Sequence, residues 1–297
     1  MDKAVVQYYG KNCVKTLSAI THYSEIKGIQ LHEIPLIVTN PFVLDFKGLV
    51  YSVNEEGLYR FFDMENFLMR QFYYYIDDLW LFAGHLSRMH IHGWRGWDKE
   101  SFYAKLEKAK TGKLSITCGP TANFIHEVFR MYGVQSRIVH TLTLDEWNEY
   151  DNGHTLLELL DPKTDKWTFY DSDVGCMMID AGKPLSLGEV CAMYRSGQTP
   201  EPFYPAGHTL PDTHTDPGSD KAHICYSLWL ERVFAGDHEA LHAWNKRIMQ
   251  VPIIDGYFPY DNESDKNRAY SYANGAYAKI PLPRSEWNKK FYEKDDL

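Results

Sequence analysis

Three residues of this chain have the types that nucleophilic catalysis requires: Cys118, His154 and Asp171. A thiol attacks a carbonyl carbon when a base takes its proton, and the base needs a third group that fixes its tautomer and stabilises its charged form. Cysteine, histidine and aspartate fill these three roles. Taken singly, each has a structural explanation, as a small buried hydrophobe, a hairpin residue or a turn former. Only the set predicts catalysis.

The residues after Cys118 predict a helix that begins at the thiol. Pro120 suits a first helical turn, and Gly133 suits the position just past the last turn. Apolar residues recur between them at helical spacing: Ala122, Ile125, Val128, Phe129 and Tyr132. Unpaired backbone N–H groups and the positive end of the helix dipole favour an anion there. The position therefore favours the reactive thiolate.

Three strands are predicted after this helix, at residues 137–142, 154–160 and 167–170. Residues 161–165 are turn formers, so the second and third strands should form an antiparallel hairpin. His154 opens one arm of that hairpin and Asp171 closes the other. Because antiparallel pairing brings these two positions to the same end of the ladder, we expect the imidazole and the carboxylate to lie close together.

The chain resembles the transglutaminase-like superfamily of papain-like cysteine enzymes in three motifs. These are the Cys118 helix followed by YGVQSRIV, the GHTLLELLDP sequence around His154, and KWTFYDSD around Asp171. The resemblance implies an α+β fold with a papain-like core, in which the cysteine begins a helix packed against an antiparallel sheet that carries the histidine and the aspartate. It places that core at about residues 63–180 and does not extend over the C-terminal third. Because no internal repeat or domain boundary is evident, we expect one domain over residues 1–297, with an N-terminal arm at 1–62 and a C-terminal extension at 181–297.

Two positions depart from the family pattern. Thr155 and Leu156 follow the histidine, where the family commonly has an aromatic residue, and Asp171-Ser172-Asp173 stands where Asp-Pro-Thr is frequent. Neither change removes a catalytic side chain. Asp173 nevertheless becomes a rival for the third catalytic role and a candidate substrate-binding residue.

The function that the resemblance implies is acyl transfer at an amide or carboxamide through a thioester on the cysteine. The acceptor could be an amine, as in transglutaminases, or water. A cysteine peptidase or amidase and an amide-forming biosynthetic acyltransferase remain open alternatives. So does a binding or scaffold protein that keeps the core without its chemistry. The expected substrate is a protein, a peptide or a small amide-bearing molecule, and no cofactor is expected.

Residues upstream of the cysteine line the cleft in this superfamily, which makes Trp94 and Trp97 candidate wall residues. His90 and His92 form an HxH pair that could present two imidazoles on one face of a strand. A metal site needs a third ligand, and the spacing of the sequence supplies none. We therefore expect these histidines to be structural or to line the cleft, and no metal to be bound.

A helix is predicted at residues 63–87 from apolar spacing and from Asp63 as its cap, and further helices are predicted at 98–110, 186–194 and 237–249. The first of these should be a long core helix. The proline-broken stretch at residues 199–220 is predicted to border the mouth of the Cys118 cleft.

Composition excludes several classes of function. The net charge is −9 and no basic run is present, which disfavours nucleic acid and anionic membrane surfaces as partners. The five cysteines are odd in number and lack short paired spacings, as expected of reduced thiols. The first residues lack the apolar core of a signal peptide, and no apolar run approaches the roughly 18 residues of a membrane span. These features predict a cytoplasmic protein.

Overall fold

The computed structural model describes residues 79–87, 89–92, 96–109, 114–145, 152–205, 237–273 and 280–293, and the backbone pairing of the strands between residues 4 and 76. Those N-terminal strands are β1 (Ala4–Gly10), β2 (Cys13–Thr16), β3 (Ile26–Lys27), β4 (Phe42–Phe46), β5 (Leu49–Val53), β6 (Tyr59–Glu65) and β7 (Arg70–Ile76). They form one sheet in the order β2-β1-β7-β6 and another in the order β3-β4-β5.

The long helix predicted at residues 63–87 is wrong over most of its length. Strands β6 and β7 form an antiparallel hairpin in which Asp63 pairs with Phe72, and helix α1 spans only Leu79–Ser87. The run from Phe72 to Ile76 consists of aromatic and β-branched residues, which favour strands. Apolar residues three and four apart occurred there by coincidence, and the strand preference decided the local structure.

The remaining helices are α2 (Phe102–Ala109), α3 (Cys118–Met131), α4 (Leu187–Arg195), α5 (His238–Ile248), α6 (Glu263–Ala273) and α7 (Arg284–Phe291). Helices α4 and α5 confirm the predictions at residues 186–194 and 237–249, and α2 confirms the prediction at 98–110 except that it begins four residues later. Ser186 caps α4 in a capping box with Glu189, and Asp237 caps α5 by accepting from Ala240 N. These caps satisfy backbone N–H groups in the first turn of each helix.

The remaining strands are β8 (His90–His92), β9 (Leu114–Ile116), β10 (Ser136–Leu142), β11 (Thr155–Asp161), β12 (Lys166–Tyr170), β13 (Met177–Asp180), β14 (Lys183–Pro184), β15 (Glu201–Phe203), β16 (Val251–Ile254), β17 (Tyr257–Tyr260) and β18 (Ile280–Pro283). The largest sheet runs in the order β12-β11-β10-β16-β17-β18 and is antiparallel except between β17 and β18. The predicted hairpin is present as β11 and β12. Strands from the C-terminal part of the chain therefore complete the sheet that carries this hairpin.

Helices cover both faces of this sheet. On one face lies α3, where His126 Nδ1 and Ser136 Oγ are 2.8 Å apart. On the other face, Val139 and Leu156 pack into a buried cluster with residues of α4, α5 and α7. The protein is thus a mixed α+β fold built on a mostly antiparallel sheet. Within the described residues, no helix is both long enough and apolar enough to cross a bilayer.

Candidate active site

Cys118 is the first residue of α3 and follows β9 across one residue, Thr117. Thr117 donates from its backbone N to Asp98 Oδ1 at 2.9 Å and from its Oγ1 to Asp98 Oδ2 at 2.8 Å. Because its hydroxyl is turned to Asp98, Thr117 makes no side-chain cap hydrogen bond to the first turn. The Thr117 side chain therefore does not occupy the backbone N–H groups at the start of α3, which favour an anion. No sequence pattern had pointed to Asp98.

His154 lies directly before β11, and its backbone continues the ladder to β10. Thr141 N donates to His154 O at 2.8 Å, and His154 N donates to Thr141 Oγ1 at 3.1 Å. The preceding residue must be a glycine, since a Cβ at Gly153 would lie 2.2 Å from the backbone oxygen of Thr141. This close approach of two backbones fixes where the imidazole emerges from the sheet.

Asp171 lies directly after β12 and contacts the imidazole. Its Oδ1 is 3.2 Å from His154 Nε2 and also accepts from the backbone N of Asp173 at 3.0 Å and of Val174 at 3.2 Å. An antiparallel bridge between Asp171 and Cys176 closes the loop that follows. Asp171 Oδ2 is buried and has no hydrogen-bond partner among the described residues.

The thiol of Cys118 also contacts the imidazole, through a hydrogen bond with one of its ring nitrogens. The sulfur of Cys118, one ring nitrogen of His154 and one carboxylate oxygen of Asp173 all lie within 4.8 Å of one another. Since Nε2 is engaged by Asp171, the nitrogen left for the thiol is Nδ1. Cys118 is half-buried, whereas the side chain of His154 is only 5% exposed, so solvent reaches the cysteine more readily than the base.

The pKa of His154 is raised well above its usual value. Burial lowers this pKa, but the Asp171 carboxylate and hydrogen bonds with Asp171 and Cys118 more than offset the effect. The neighbouring His140, whose Nδ1 lies 3.0 Å from Thr155 Oγ1, has a lowered pKa because of burial and the nearby His154. The site thus favours charge on one imidazole, the one between the thiol and Asp171.

Asp173, the rival for the third role, does not occupy that position. Its Oδ1 lies 3.0 Å from His90 Nε2 and its Oδ2 lies 2.9 Å from His92 Nδ1. Burial raises the pKa of Asp173, but His92 and His90 together hold it well below its usual range. The two histidines of β8 do share one strand face, and β8 pairs in parallel with β9, the strand that leads to Cys118. What joins them is a carboxylate, which spacing alone could not reveal.

Of the two tryptophans predicted to line the cleft, the structure describes Trp97 and not Trp94. The backbone N of Trp97 donates to Ser115 O at 3.2 Å, and Lys108 Nζ lies 5.9 Å from the centre of its ring. This places Trp97 beside β9. Trp94 and residues 206–220 of the predicted cleft border are outside the described residues.

The other described cysteines differ from Cys118 in exposure. Cys176 and Cys191 are free and fully buried. Burial, aided by nearby Asp171, raises the pKa of the Cys176 thiol well above its usual value, and burial likewise raises that of Cys191. Of these three thiols, only Cys118 is both accessible and next to a base.

Comparisons of this chain with protein-family models, with curated proteins and with solved structures gave no match. The resemblance to the transglutaminase-like superfamily accordingly stays a prediction made from three motifs. What the fold adds is local geometry: the imidazole of His154 stands between a half-buried thiol at a helix start and a buried carboxylate.

Proposed function

We propose that this protein is a cysteine-dependent acyltransferase or hydrolase with a papain-like, transglutaminase-like core, acting at an amide or carboxamide. The observation that carries this proposal is the imidazole of His154, which has Asp171 Oδ1 at 3.2 Å on Nε2 and the Cys118 thiol on its other side. A buried histidine held in this way is oriented for proton transfer to and from sulfur.

The reaction follows from what each group offers. The Cys118 thiolate attacks the amide carbon, and the oxyanion that forms is stabilised by backbone N–H groups at the start of α3. His154 gives its proton to the departing amine as the carbon–nitrogen bond breaks, which leaves a thioester on the sulfur. His154 then takes a proton from an incoming amine or water, and that nucleophile releases the acyl group. Asp171 keeps the ring in position throughout.

The test is alkylation of the native protein with iodoacetamide near neutral pH, followed by peptide mass mapping. We expect rapid modification of Cys118 and little modification of Cys176 or Cys191, because those thiols are buried. The variant His154→Gln should slow Cys118 labelling. The matched control is His126→Gln, which removes a partly buried imidazole that lies outside the site and contacts Ser136.

Slow labelling of Cys118 in the native protein, unchanged in His154→Gln, would contradict the proposal and favour a binding or scaffold protein. The choice of acceptor needs a second measurement. After acylation of Cys118 by p-nitrophenyl acetate, a primary amine such as glycine ethyl ester is added. Acetyl transfer to the amine indicates transferase activity, and release of acetate alone indicates hydrolysis.

A further inference from the structure

The group formed by Cys118, His154 and Asp173 has the composition of a transition-metal site. It offers a sulfur, an imidazole nitrogen and a carboxylate oxygen, all within 4.8 Å of one another. A tetrahedral Zn²⁺ with bonds of about 2.0–2.3 Å holds such atoms roughly 3.3–3.7 Å apart. Starting from separations of up to 4.8 Å, the donor atoms therefore approach one another by at most about 1.5 Å when the ion binds.

The nitrogen and oxygen donors of this group each have hydrogen-bonded partners behind them. Asp171 holds the Nε2 side of His154, and His90 and His92 hold the two carboxylate oxygens of Asp173. Metal-binding histidines and carboxylates in proteins are oriented by partners of this kind. The outer contacts of Asp173 involve two buried or nearly buried imidazoles, with side chains 4% and 9% exposed. This is a second observation, independent of the distances among the three donors.

Two features of Cys118, its position at the start of α3 and its exposure, also favour metal binding. Cys118 is the first residue of α3, and a helix N-terminus stabilises the thiolate that a metal requires. The residue is only half-buried, so an ion and a solvent ligand can reach it. A soft thiolate with one imidazole selects Zn²⁺ over Mg²⁺ or Ca²⁺, which prefer six or more oxygen ligands.

We propose that Cys118, His154 and Asp173 bind one Zn²⁺ ion, and that the bound ion blocks the nucleophile and the base. The thiol proton passes to solvent as the sulfur–zinc bond forms. With its sulfur and its imidazole both coordinated, the protein cannot form a thioester until the ion leaves. Binding itself needs only the geometry, whereas the regulatory consequence rests on the function proposed above.

Binding is measured by titrating the chelator-treated protein with Zn²⁺ in competition with a chromogenic chelator, and with Co²⁺ as a spectroscopic probe. We expect one equivalent of Zn²⁺, and a thiolate-to-cobalt charge-transfer band with Co²⁺. Asp173→Asn and Cys118→Ser should each weaken Zn²⁺ binding by more than about 100-fold, since each removes a ligand. His92→Gln, which removes an outer partner, should weaken binding by about 10- to 100-fold.

The matched control is Asp180→Asn, which changes an exposed carboxylate at the end of β13 and should leave the affinity unchanged. Circular dichroism and urea unfolding check that each variant is folded. If Asp173→Asn does not fold, Cys118→Ser still tests the proposal. Any Zn²⁺ bound by histidines elsewhere in the chain is the same in Cys118→Ser and in the unaltered protein, so a difference in affinity reports on Cys118. Equal affinity in Cys118→Ser and the unaltered protein would overturn the proposal, as would absence of the charge-transfer band.

A labelling experiment separates this proposal from the proposed function. Iodoacetamide is applied with and without Zn²⁺, and with Mg²⁺ as the comparison ion. Zn²⁺ should suppress Cys118 labelling at least tenfold, and Mg²⁺ should not. Fast labelling that Zn²⁺ does not slow would refute metal binding and leave the acyl-transfer proposal standing. Slow labelling without metal, together with tight one-to-one Zn²⁺ binding, would support metal binding and contradict the acyl-transfer proposal.

Discussion

The hairpin of β11 and β12 contributes to two buried polar clusters, one around Glu158 within β11 and one around His154 and Asp171 where the hairpin strands begin and end. The two clusters differ in how their carboxylates are hydrogen-bonded. At one end Glu158 accepts from Arg137 on Oε2 and from Leu187 N and Tyr292 on Oε1, so both its oxygens are satisfied. At the other end Asp171 has one oxygen with three contacts and one buried oxygen without a described partner. We call the cluster around Glu158 the closed cluster, because both carboxylate oxygens have hydrogen-bond donors.

The partners of Glu158 come from β10, α4 and the end of the chain, so that cluster joins elements distant in sequence. Arg137 also stacks on Trp167, at 4.2 Å from the ring centre. The cluster around His154 instead ends at a half-buried thiol that a reactant can reach. The difference teaches that burial of charge alone does not mark a reactive site; incomplete satisfaction beside an accessible nucleophile does.

The sharpest test of this contrast is Cys118→Ala. We expect the burst of p-nitrophenolate from p-nitrophenyl acetate to fall by about 10⁴-fold or more, since the nucleophile is gone. Thermal stability should stay nearly unchanged, because the residue serves chemistry more than packing. A burst retained in the variant would show that another residue is acylated, and peptide mapping would identify it.

A smaller loss is expected for Asp171→Asn, which keeps the shape of the side chain but removes the negative charge beside His154 Nε2. Acylation of Cys118 should slow by about 10²- to 10⁴-fold, as the tautomer and the imidazolium lose support. The comparison is Asp180→Asn, an exposed carboxylate whose loss should not alter the rate. Equal acylation rates in Asp171→Asn and Asp180→Asn would contradict a role for Asp171 in the reaction.

At the closed cluster, Arg137→Met should act on stability and not on reactivity. Removing the guanidinium leaves Glu158, which is fully buried, without its cation. We expect the free energy of unfolding to fall by about 3 kcal/mol. Cys118 labelling should be unaffected, because four residues of strand, roughly 13 Å, separate Arg137 from Thr141, the partner of His154.

The control for Arg137→Met is Lys166→Met, which breaks an exposed pair with Glu189 and should change stability by less than about 1 kcal/mol. Urea unfolding measures both variants. If Arg137→Met slowed labelling as strongly as Asp171→Asn, the two clusters would have to be treated as one network.

Gly153→Ala tests the backbone contact that positions the imidazole. A methyl group at 2.2 Å from the Thr141 oxygen forces the strand ends apart, so we expect a loss of about 1–3 kcal/mol in unfolding free energy and slower Cys118 labelling. At Gly119 an added Cβ meets only Thr155 Oγ1, at 3.9 Å. Gly119→Ala should therefore be tolerated, with a change within about 1 kcal/mol. Equal stability of the two variants would remove this constraint on His154.

The smallest predicted effect is a dependence of stability on pH. The raised pKa of His154 adds stability that is complete below the ordinary imidazole pKa of about 6.5 and is lost as pH rises through the raised value. Cys118 and Asp171 favour the charged ring, and His140 opposes it. Relative to Asp171→Asn, the intact protein should therefore lose stability between pH 6 and alkaline pH. A constant difference between the two proteins across this range would contradict the assignment.

The sequence by itself determined the local part of the site. Helix periodicity and its glycine stop located α3, turn formers located the β11–β12 hairpin, and period-two alternation put His90 and His92 on one face. These signals act between neighbours in the chain, so they can be read without the fold. At residues 63–76 two local signals compete: the helical spacing of apolar residues predicts a helix, but the strand preference of the aromatic run prevails in the structure.

Contacts between distant segments were decided only by the tertiary structure. The parallel pairing of β8 with β9 brings His90 and His92 to Asp173, and Asp98 holds the residue before Cys118. Strands β16 to β18 join the core sheet although they lie over a hundred residues from β10. Such pairings depend on which surfaces bury each other, and no residue spacing encodes that. For the same reason, the choice between Asp171 and Asp173 as partner of the imidazole required the fold, because two residues of one turn can point in different directions.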